Sequence, residues 1–210
     1  METRALVPFI FSEPIRTERL VLRMMTPADA ADVHSYQSRE DVCRYLLFTP
    51  RSPAEVAERV ARNASATTLA AVDDYLQIAV ELPARGGHPA RVIGDVYFVL
   101  KSLENSGAEI GWTLHPHFAK RGYATEAASA VLDLAFGRLG LHRVVAELDP
   151  RNNDSIALCL RLGMRREAHF VGDLLFRGEW ADTGVYAVLE DEWAALRRRT
   201  PPQHAGTTSG

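Results

Sequence analysis

The chain has 210 residues, enough for one full hydrophobic core or at most two small domains. It is 47% hydrophobic and 24% charged, with a formal net charge of -3, a globular composition that predicts no nucleic-acid binding. No signal peptide and no apolar stretch approaching the ~20 residues of a membrane span can be found. The two cysteines, Cys43 and Cys159, stand in apolar stretches without a CxxC partner, and the histidines form no ligand pattern. We therefore expect a cytoplasmic protein without metal, disulfide or membrane attachment.

The first half of the chain predicts two helical regions and several strands. Residues 16–25 alternate as a strand, and Thr26 followed by Pro27 then marks the start of a helix. Residues 52–70 repeat the cap-then-proline signal and predict a second helix. Three β-branched and aromatic segments separated by turns follow, and they predict an antiparallel meander with strands at 75–82, 91–100 and 108–114.

The second half predicts a helix, a strand, a short helix and a final hairpin. The first helix starts near Gly122 and ends between Gly137 and Gly140. A strand at 142–150 precedes a helix at 152–164, and alternation on both sides of "RGEWADTG" predicts a hairpin that leads into a short helix. The predicted organisation is an N-terminal extension at 1–14, one domain at 15–198 and a disordered tail at 199–210.

The junction "HPHFAKRGYATEA", residues 115–127, has the features of an anion site. A strand that ends at Leu114 and a helix that starts near Gly122 leave unpaired N–H groups in the loop, with the positive end of the helix dipole behind them. Gly122 lets a ligand approach the backbone, and Lys120 and Arg121 add positive charge. The alternative is a simple turn with solvated basic side chains. Because neither GxxxxGK[ST] nor GxGxxG is present, a nucleoside triphosphatase or a nicotinamide enzyme is disfavoured.

Four segments together resemble the GNAT superfamily of acyl-CoA N-acetyltransferases, in particular the branch of the ribosomal-protein N-acetyltransferases RimJ and RimL. They are "TERLVLR", "EIGWTLHPHFAKRGYATEA", "LHRVVAELDPRNNDSIALCLRLGMRREA" and "RGEWADTGVYAVLEDEW". The resemblance implies a mixed α/β fold with a mostly antiparallel sheet, flanked by helices and splayed around acetyl-CoA between the strands at 108–114 and 142–149. It also implies transfer of an acetyl group to a primary amine.

By this resemblance, backbone amides of the loop hold the coenzyme A pyrophosphate. The residues expected to bind the coenzyme are Trp112, Thr113, Leu114, Lys120, Arg121, Gly122, Tyr123, Ala124, Thr125, Asn152 and Ser155. Ala119 stands where the family has Gln or Arg, which predicts weaker coenzyme binding. Asn152 is expected on the pantetheine arm and Ser155 near the thioester sulfur; the alternative is that Asn152 to Asp154 only cap the next helix.

Catalysis by direct attack needs a base, because an α-amino group with a pKa of about 8 is largely protonated at pH 7. Glu109 opens the strand that in this family faces the acetyl group, and it is the first candidate; Asp173 is the second. The alternative for Glu109 is a solvated strand end.

Many family members have a tyrosine that acts as the general acid at the position where this chain has Cys159. We expect Cys159 to be a small, buried apolar residue instead. Ser155 is therefore the candidate proton donor to the leaving thiolate.

Three functions stay open at this point. The first is acetylation of a protein N-terminal α-amine, as the RimJ and RimL resemblance implies. The second is acetylation of a small amine such as an antibiotic, an amino acid or a polyamine, for which an acidic, enclosed acceptor pocket would be the sign. The third is a non-catalytic acyl-CoA-binding domain, which the missing tyrosine and the altered loop would allow. The amine acceptor is thus the undetermined partner, and a homodimer is compatible with the sequence.

Overall fold

The structure is a computed structural model that describes residues 8–199. The strands are β1 Phe9–Ile10, β2 Ile15–Arg16, β3 Val21–Met24, β4 Thr68–Leu69, β5 Tyr75–Leu82, β6 Arg91–Ser102, β7 Gly107–Leu114, β8 Arg143–Leu148, β9 Arg165–Phe176 and β10 Glu179–Leu189. The α-helices are α1 Ala30–Gln37, α2 Glu40–Cys43, α3 Pro53–Ser65, α4 Tyr123–Asp133, α5 Asn153–Arg161 and α6 Glu190–Arg199. Eight strands form one sheet in the order β2-β3-β5-β6-β7-β8-β10-β9, and β1 pairs with β4. The predicted mixed α/β fold with a mostly antiparallel sheet is therefore confirmed.

The centre of the sheet opens between β7 and β8, its parallel pair. The two strands pair over three residues only, from Gly107 to Glu109 on β7. Beyond Glu109, β7 runs on to Leu114 without a strand partner on the β8 side. Its backbone groups on that side are open to a ligand, and the predicted splay is present.

Residues 16–25 do not form the single strand predicted for them. The chain turns at 17–20, where the N–H of Thr17 donates to the carbonyl of Leu20 at 3.0 Å. The N–H of Leu20 in turn donates to Thr17 Oγ1 at 3.0 Å. These short-range bonds compete with the sheet ladder and divide the segment into β2 and β3, which the alternation of side chains did not reveal.

The final hairpin has a shorter turn than predicted. Only Arg177 and Gly178 form the turn, with φ angles of 55° and 79°, as a two-residue hairpin connection requires. Residues 179–184 belong to β10 instead, with a register shift between Ala181 and Thr183. The start of α3 is as predicted, because Glu55 completes a capping box with Ser52. At the first predicted helix start, Thr26 and Asp29 form a capping box on a 3-10 turn at Pro27–Asp29, which leads into α1.

Some expectations fall on residues outside the described part. Residues 1–7 of the predicted N-terminal extension and residues 200–210 of the predicted tail are not described. The domain boundaries therefore stay a prediction. Within residues 8–199, no helix is long and apolar enough to cross a membrane, and no three His, Cys, Asp or Glu side chains are grouped so that they could hold a metal ion.

Candidate active site

Two clefts adjoin at the splay. The coenzyme cleft, with a volume of about 820 Å³, lies between the end of β7, the loop that follows it, the first turn of α4 and the start of α5. The acidic cleft, of about 620 Å³, lies between Glu109 on β7, the end of β8, the tip of the β9–β10 hairpin and the segment 44–47. Leu46 lines both clefts. A molecule bound in one cleft can therefore be close to a molecule bound in the other.

The loop after β7 presents backbone to the coenzyme cleft. Gly122 has a φ of 82°, in the left-handed region, and precedes the first residue of α4. A Cβ atom added to it would lie 3.2 Å from Arg19 Nη2. The carboxylate of Glu126, in the first turn of α4, accepts from Thr17 Oγ1 at 2.6 Å and from the N–H of Arg19 at 2.8 Å. The turn between β2 and β3 thus holds the start of α4 in place.

Most of the predicted coenzyme residues meet in the coenzyme cleft. Ten of the eleven line it, namely Trp112, Thr113, Leu114, Lys120, Gly122, Tyr123, Ala124, Thr125, Asn152 and Ser155. Arg121 is the exception because it lines a neighbouring third cleft, while its carbonyl accepts from Arg19 Nη1 at 2.9 Å. A role of Arg121 in coenzyme binding stays a prediction.

Arg161, which the sequence motifs did not indicate, also lines the coenzyme cleft. Its Nε donates to Thr125 Oγ1 at 3.3 Å, so this guanidinium lies beside the first turn of α4. It is the only basic residue of α5, a helix already expected to border the coenzyme, and that signal could have identified it. Arg161 thus adds a second cation, beside Lys120, to the lining of the coenzyme cleft.

The start of α5 is a capped helix terminus that also borders the coenzyme cleft. Asn152 caps the helix, since its Oδ1 accepts from the N–H of Ser155 at 3.1 Å, and both residues also line the cleft. Trp112 Nε1 donates to Ser155 Oγ at 3.3 Å, across the splay between β7 and α5. Cys159 is fully buried, and this burial raises the pKa of its thiol to about 12. Cys159 therefore stays a neutral thiol at pH 7, consistent with the apolar role.

Glu109 lies at the point where β7 and β8 separate. Its side chain is only 21% exposed, which contradicts the alternative of a solvated strand end. Burial and, to a lesser degree, the negative charge of Glu147 raise the pKa of the Glu109 carboxyl, and Lys101, with its Nζ at 3.5 Å, opposes the rise. A carboxylate of raised pKa is a stronger base than an exposed one.

The acidic cleft holds more carboxylates than cations. Six acidic residues line it, Glu109, Glu147, Asp149, Asp173, Glu179 and Asp182, beside the three arginines Arg44, Arg151 and Arg177. Arg151 Nη2 forms an ion pair with Asp149 Oδ2 at 2.6 Å, and Arg177 Nη2 donates to the carbonyl of Phe48 at 3.0 Å. Within residues 8–199, Glu147, Asp173 and Glu179 have no ion-pair partner. Asp173, the second candidate base, thus shares a cleft with Glu109.

Comparison with known proteins identifies the family. Residues 19–165 match the family model of the acetyltransferase (GNAT) domain. The chain belongs to the GNAT family. This GNAT enzyme is 32% identical over 183 residues to the uncharacterised N-acetyltransferase YnaD of Bacillus subtilis, a match that covers 85% of this chain and 98% of YnaD. The crystal structure of a GNAT-family acetyltransferase from Bacillus anthracis superimposes on this chain with a TM-score of 0.74. The two sequences are 31% identical, and the match covers 85% of this chain and 99% of that one.

Two more distant relatives have named acceptors. The ribosomal protein uS5-alanine N-acetyltransferase of Escherichia coli is 27% identical over 88 residues, 42% of this chain and 45% of that enzyme. A spermidine N-acetyltransferase from Vibrio cholerae, in complex with CoA and spermine, shares the fold at 20% identity, with a TM-score of 0.69 over 85% of this chain and 99% of that one. The GNAT enzyme described here is an acetyl-CoA-dependent N-acetyltransferase, so the non-catalytic alternative is set aside. Neither similarity identifies the acceptor of the present enzyme.

Proposed function

We propose that this GNAT enzyme transfers the acetyl group of acetyl-CoA directly to a small cationic primary amine held in the acidic cleft. The supporting observation is that a single strand serves both clefts: Glu109 lines the acidic cleft, and three residues later Trp112 lines the coenzyme cleft. An amine beside Glu109 is therefore close to the strand along which the thioester would lie. No covalent enzyme intermediate is needed, because two adjoining clefts allow both reactants to be bound at once.

Glu109 acts as the base in this proposal. The acceptor binds as an ammonium ion, and Glu109 removes its proton directly or through a water, because only the neutral amine attacks. The nitrogen then forms a bond to the thioester carbon, and the carbonyl oxygen becomes an oxyanion. Backbone N–H groups on the open edge of β7, beyond Glu109, are available to stabilise that charge.

Ser155 assists the departure of coenzyme A. When the C–S bond breaks, the electron pair stays on sulfur as a thiolate, whose parent thiol has a pKa of about 8.5. Because Trp112 Nε1–H already donates to Ser155 Oγ, the hydroxyl hydrogen of Ser155 is left to donate to the sulfur. Serine is a weaker acid than a thiol, so we expect Ser155 to stabilise the thiolate by hydrogen bonding rather than to protonate it fully.

The surplus of carboxylates supports a small cationic acceptor. Three carboxylates without an ion-pair partner, on β8, β9 and β10, favour an acceptor that carries positive charge beyond the reacting nitrogen. Phe176 and Trp180 line the same cleft and offer apolar faces to a methylene chain. A polyamine has both features. An acidic, enclosed pocket was the expected sign of a small-amine acceptor, and this cleft supports the acidic part of it.

A protein N-terminal α-amine is the second candidate. The RimJ and RimL resemblance and the partial match to the uS5-alanine enzyme support it. An N-terminal peptide would bring one ammonium group, and any further positive charge would depend on its sequence. The acidic cleft therefore favours this candidate less than it favours a polyamine.

A substrate panel tests the proposal. Release of free coenzyme A is measured with spermidine, with butylamine as a matched monoamine, and with peptides that begin with alanine or serine. We expect the highest kcat/KM with spermidine, because butylamine lacks a second charge. Faster turnover of the peptides would transfer the assignment to the second candidate, and absence of thiol release with every amine would overturn direct acetyl transfer.

A further inference from the structure

A third cleft, here called the basic cleft, has a volume of about 630 Å³ and lies beside the coenzyme loop. Three connections line it: the segment 16–21 around the β2–β3 turn, the segment 82–91 around the β5–β6 turn, and residues 117–123 of the loop before α4. Tyr123 is its only lining residue in common with the coenzyme cleft. The established reaction leaves this cleft without a role.

The basic cleft concentrates positive charge in a chain whose net charge is -3. Five arginines line it, Arg16, Arg19, Arg85, Arg91 and Arg121, together with two histidines, against a single carboxylate, Glu18. They come from three connections that are distant in sequence. Their convergence is therefore produced by the fold and not by a run of basic residues.

Three of these arginines have no carboxylate partner in the part of the chain that the structure describes. Arg19 is paired with Glu126 at 2.7 Å and Arg91 with Asp32 at 3.5 Å. Within residues 8–199, Arg16, Arg85 and Arg121 form no ion pair. One partner-free guanidinium thus comes from each of the three connections.

Two of the guanidinium groups share one aromatic ring. Arg91 lies 5.5 Å and Arg121 lies 5.9 Å from the centre of the Phe118 ring. Phe118 is buried, with only 7% of its surface exposed, so the ring holds both like charges in the wall of the cleft. An anion between them would remove their mutual repulsion.

We propose that the basic cleft binds a small ligand with two or more phosphate groups. The planar guanidinium fork matches phosphate oxygens in a bidentate manner, and three partner-free arginines from three separate connections favour a ligand with more than one anionic group. The volume lies in the range of about 300–1,000 Å³ that is common for small-molecule sites. A long polyanion is disfavoured, since the chain as a whole is acidic.

The test uses the full chain saturated with coenzyme A, so that the coenzyme cleft is occupied. Inorganic tripolyphosphate is titrated into it by calorimetry at an ionic strength of about 0.15 M. We expect saturable binding of one tripolyphosphate per chain. Arg16→Ser and Arg85→Ser, both exposed positions, should each weaken it by about fivefold or more, whereas the exposed Arg62→Ser on α3 should leave it unchanged.

Four results would overturn the proposal. The first is the absence of saturable binding to the coenzyme-saturated chain. The second is binding seen only without coenzyme A, which would place the anion in the coenzyme cleft. The third is equal weakening by Arg62→Ser, which would indicate diffuse attraction. The fourth is equal affinity for citrate, which would show a general anion site rather than one for phosphate groups.

Discussion

The acidic cleft and the basic cleft have nearly the same volume, about 620 and 630 Å³, but opposite charge. In the acidic cleft, Arg151 is paired with Asp149, and Arg177 donates to the Phe48 carbonyl. Arg44 has no ion-pair partner within residues 8–199, but the carboxylates of the cleft still outnumber its arginines six to three. In the basic cleft the opposite holds, and three arginines remain. The net charge of the whole chain, -3, therefore does not indicate the local charge of either cleft. What a charged surface can bind depends on which side chains the protein has already neutralised.

The coenzyme cleft adjoins both of these clefts. It shares Leu46 with the acidic cleft and Tyr123 with the basic cleft. We propose a different ligand for each of the three: a cationic amine for the acidic cleft, acetyl-CoA for the coenzyme cleft and a small polyphosphate for the basic cleft. Substitutions in each cleft can test the three ligands separately.

The largest effect is expected at Gly122, between the two charged clefts. Gly122→Glu places a side chain and a negative charge in the coenzyme cleft, where we expect loop N–H groups to meet the pyrophosphate, so coenzyme A affinity should fall by about a hundredfold or more. Gly87→Glu is the matched control, because Gly87 has the same φ of 82° with no atom within 4 Å of an added Cβ. Calorimetric titration compares both variants. Unchanged affinity in Gly122→Glu would show that the pyrophosphate binds elsewhere.

The next effect concerns the acidic cleft alone. Glu109→Gln keeps the shape of the base and removes its function, so we expect kcat at pH 7 to fall by roughly 10² with coenzyme affinity nearly unchanged. The loss should shrink at higher pH, where more of the amine is neutral. If Asp173→Asn loses kcat and Glu109→Gln does not, the base lies on β9.

A smaller effect separates acceptor binding from chemistry. Asp173→Asn removes one partner-free carboxylate, and we expect KM for spermidine to rise about fivefold while kcat and the KM for butylamine change little. Added salt should raise the spermidine KM of the wild type more than that of the variant. The control is Asp191→Asn, an exposed carboxylate on α6. Equal changes for spermidine and butylamine would argue against recognition of a second charge.

The smallest effect is a shift in pH dependence. Because burial and Glu147 raise the pKa of Glu109, the active base form is lost as the pH falls through that raised pKa. Glu147→Gln removes a like charge and should move the acidic limb of kcat to lower pH. Lys101→Met removes the cation at 3.5 Å and should move it to higher pH. We expect each shift to be less than about one pH unit. Shifts in the same direction in both variants would contradict the assignment of Glu109.

The sequence predicted the local parts of the site and not its assembled surfaces. Gly122 and the cap at Asn152 could be predicted because a left-handed loop and a helix start are short-range features. The cleft that the Arg121 side chain lines could not be predicted, because it depends on the packing of Arg121 and Arg91 against Phe118. The acidic cleft was also missed as a whole, although Glu109 and Asp173 were found, because its carboxylates come from β7, β8, the 149–151 turn, β9 and β10.

The hydrogen bonds from Thr17 and Arg19 to Glu126 have a consequence for folding. They join residues that are 109 and 107 positions apart in the chain. Contacts of such long sequence separation form late, because the loop they close is costly in entropy. During synthesis the β2–β3 turn is made long before α4 exists, so the coenzyme loop reaches its final form only after both meet. Coenzyme affinity should therefore be among the last properties to return in a refolding experiment.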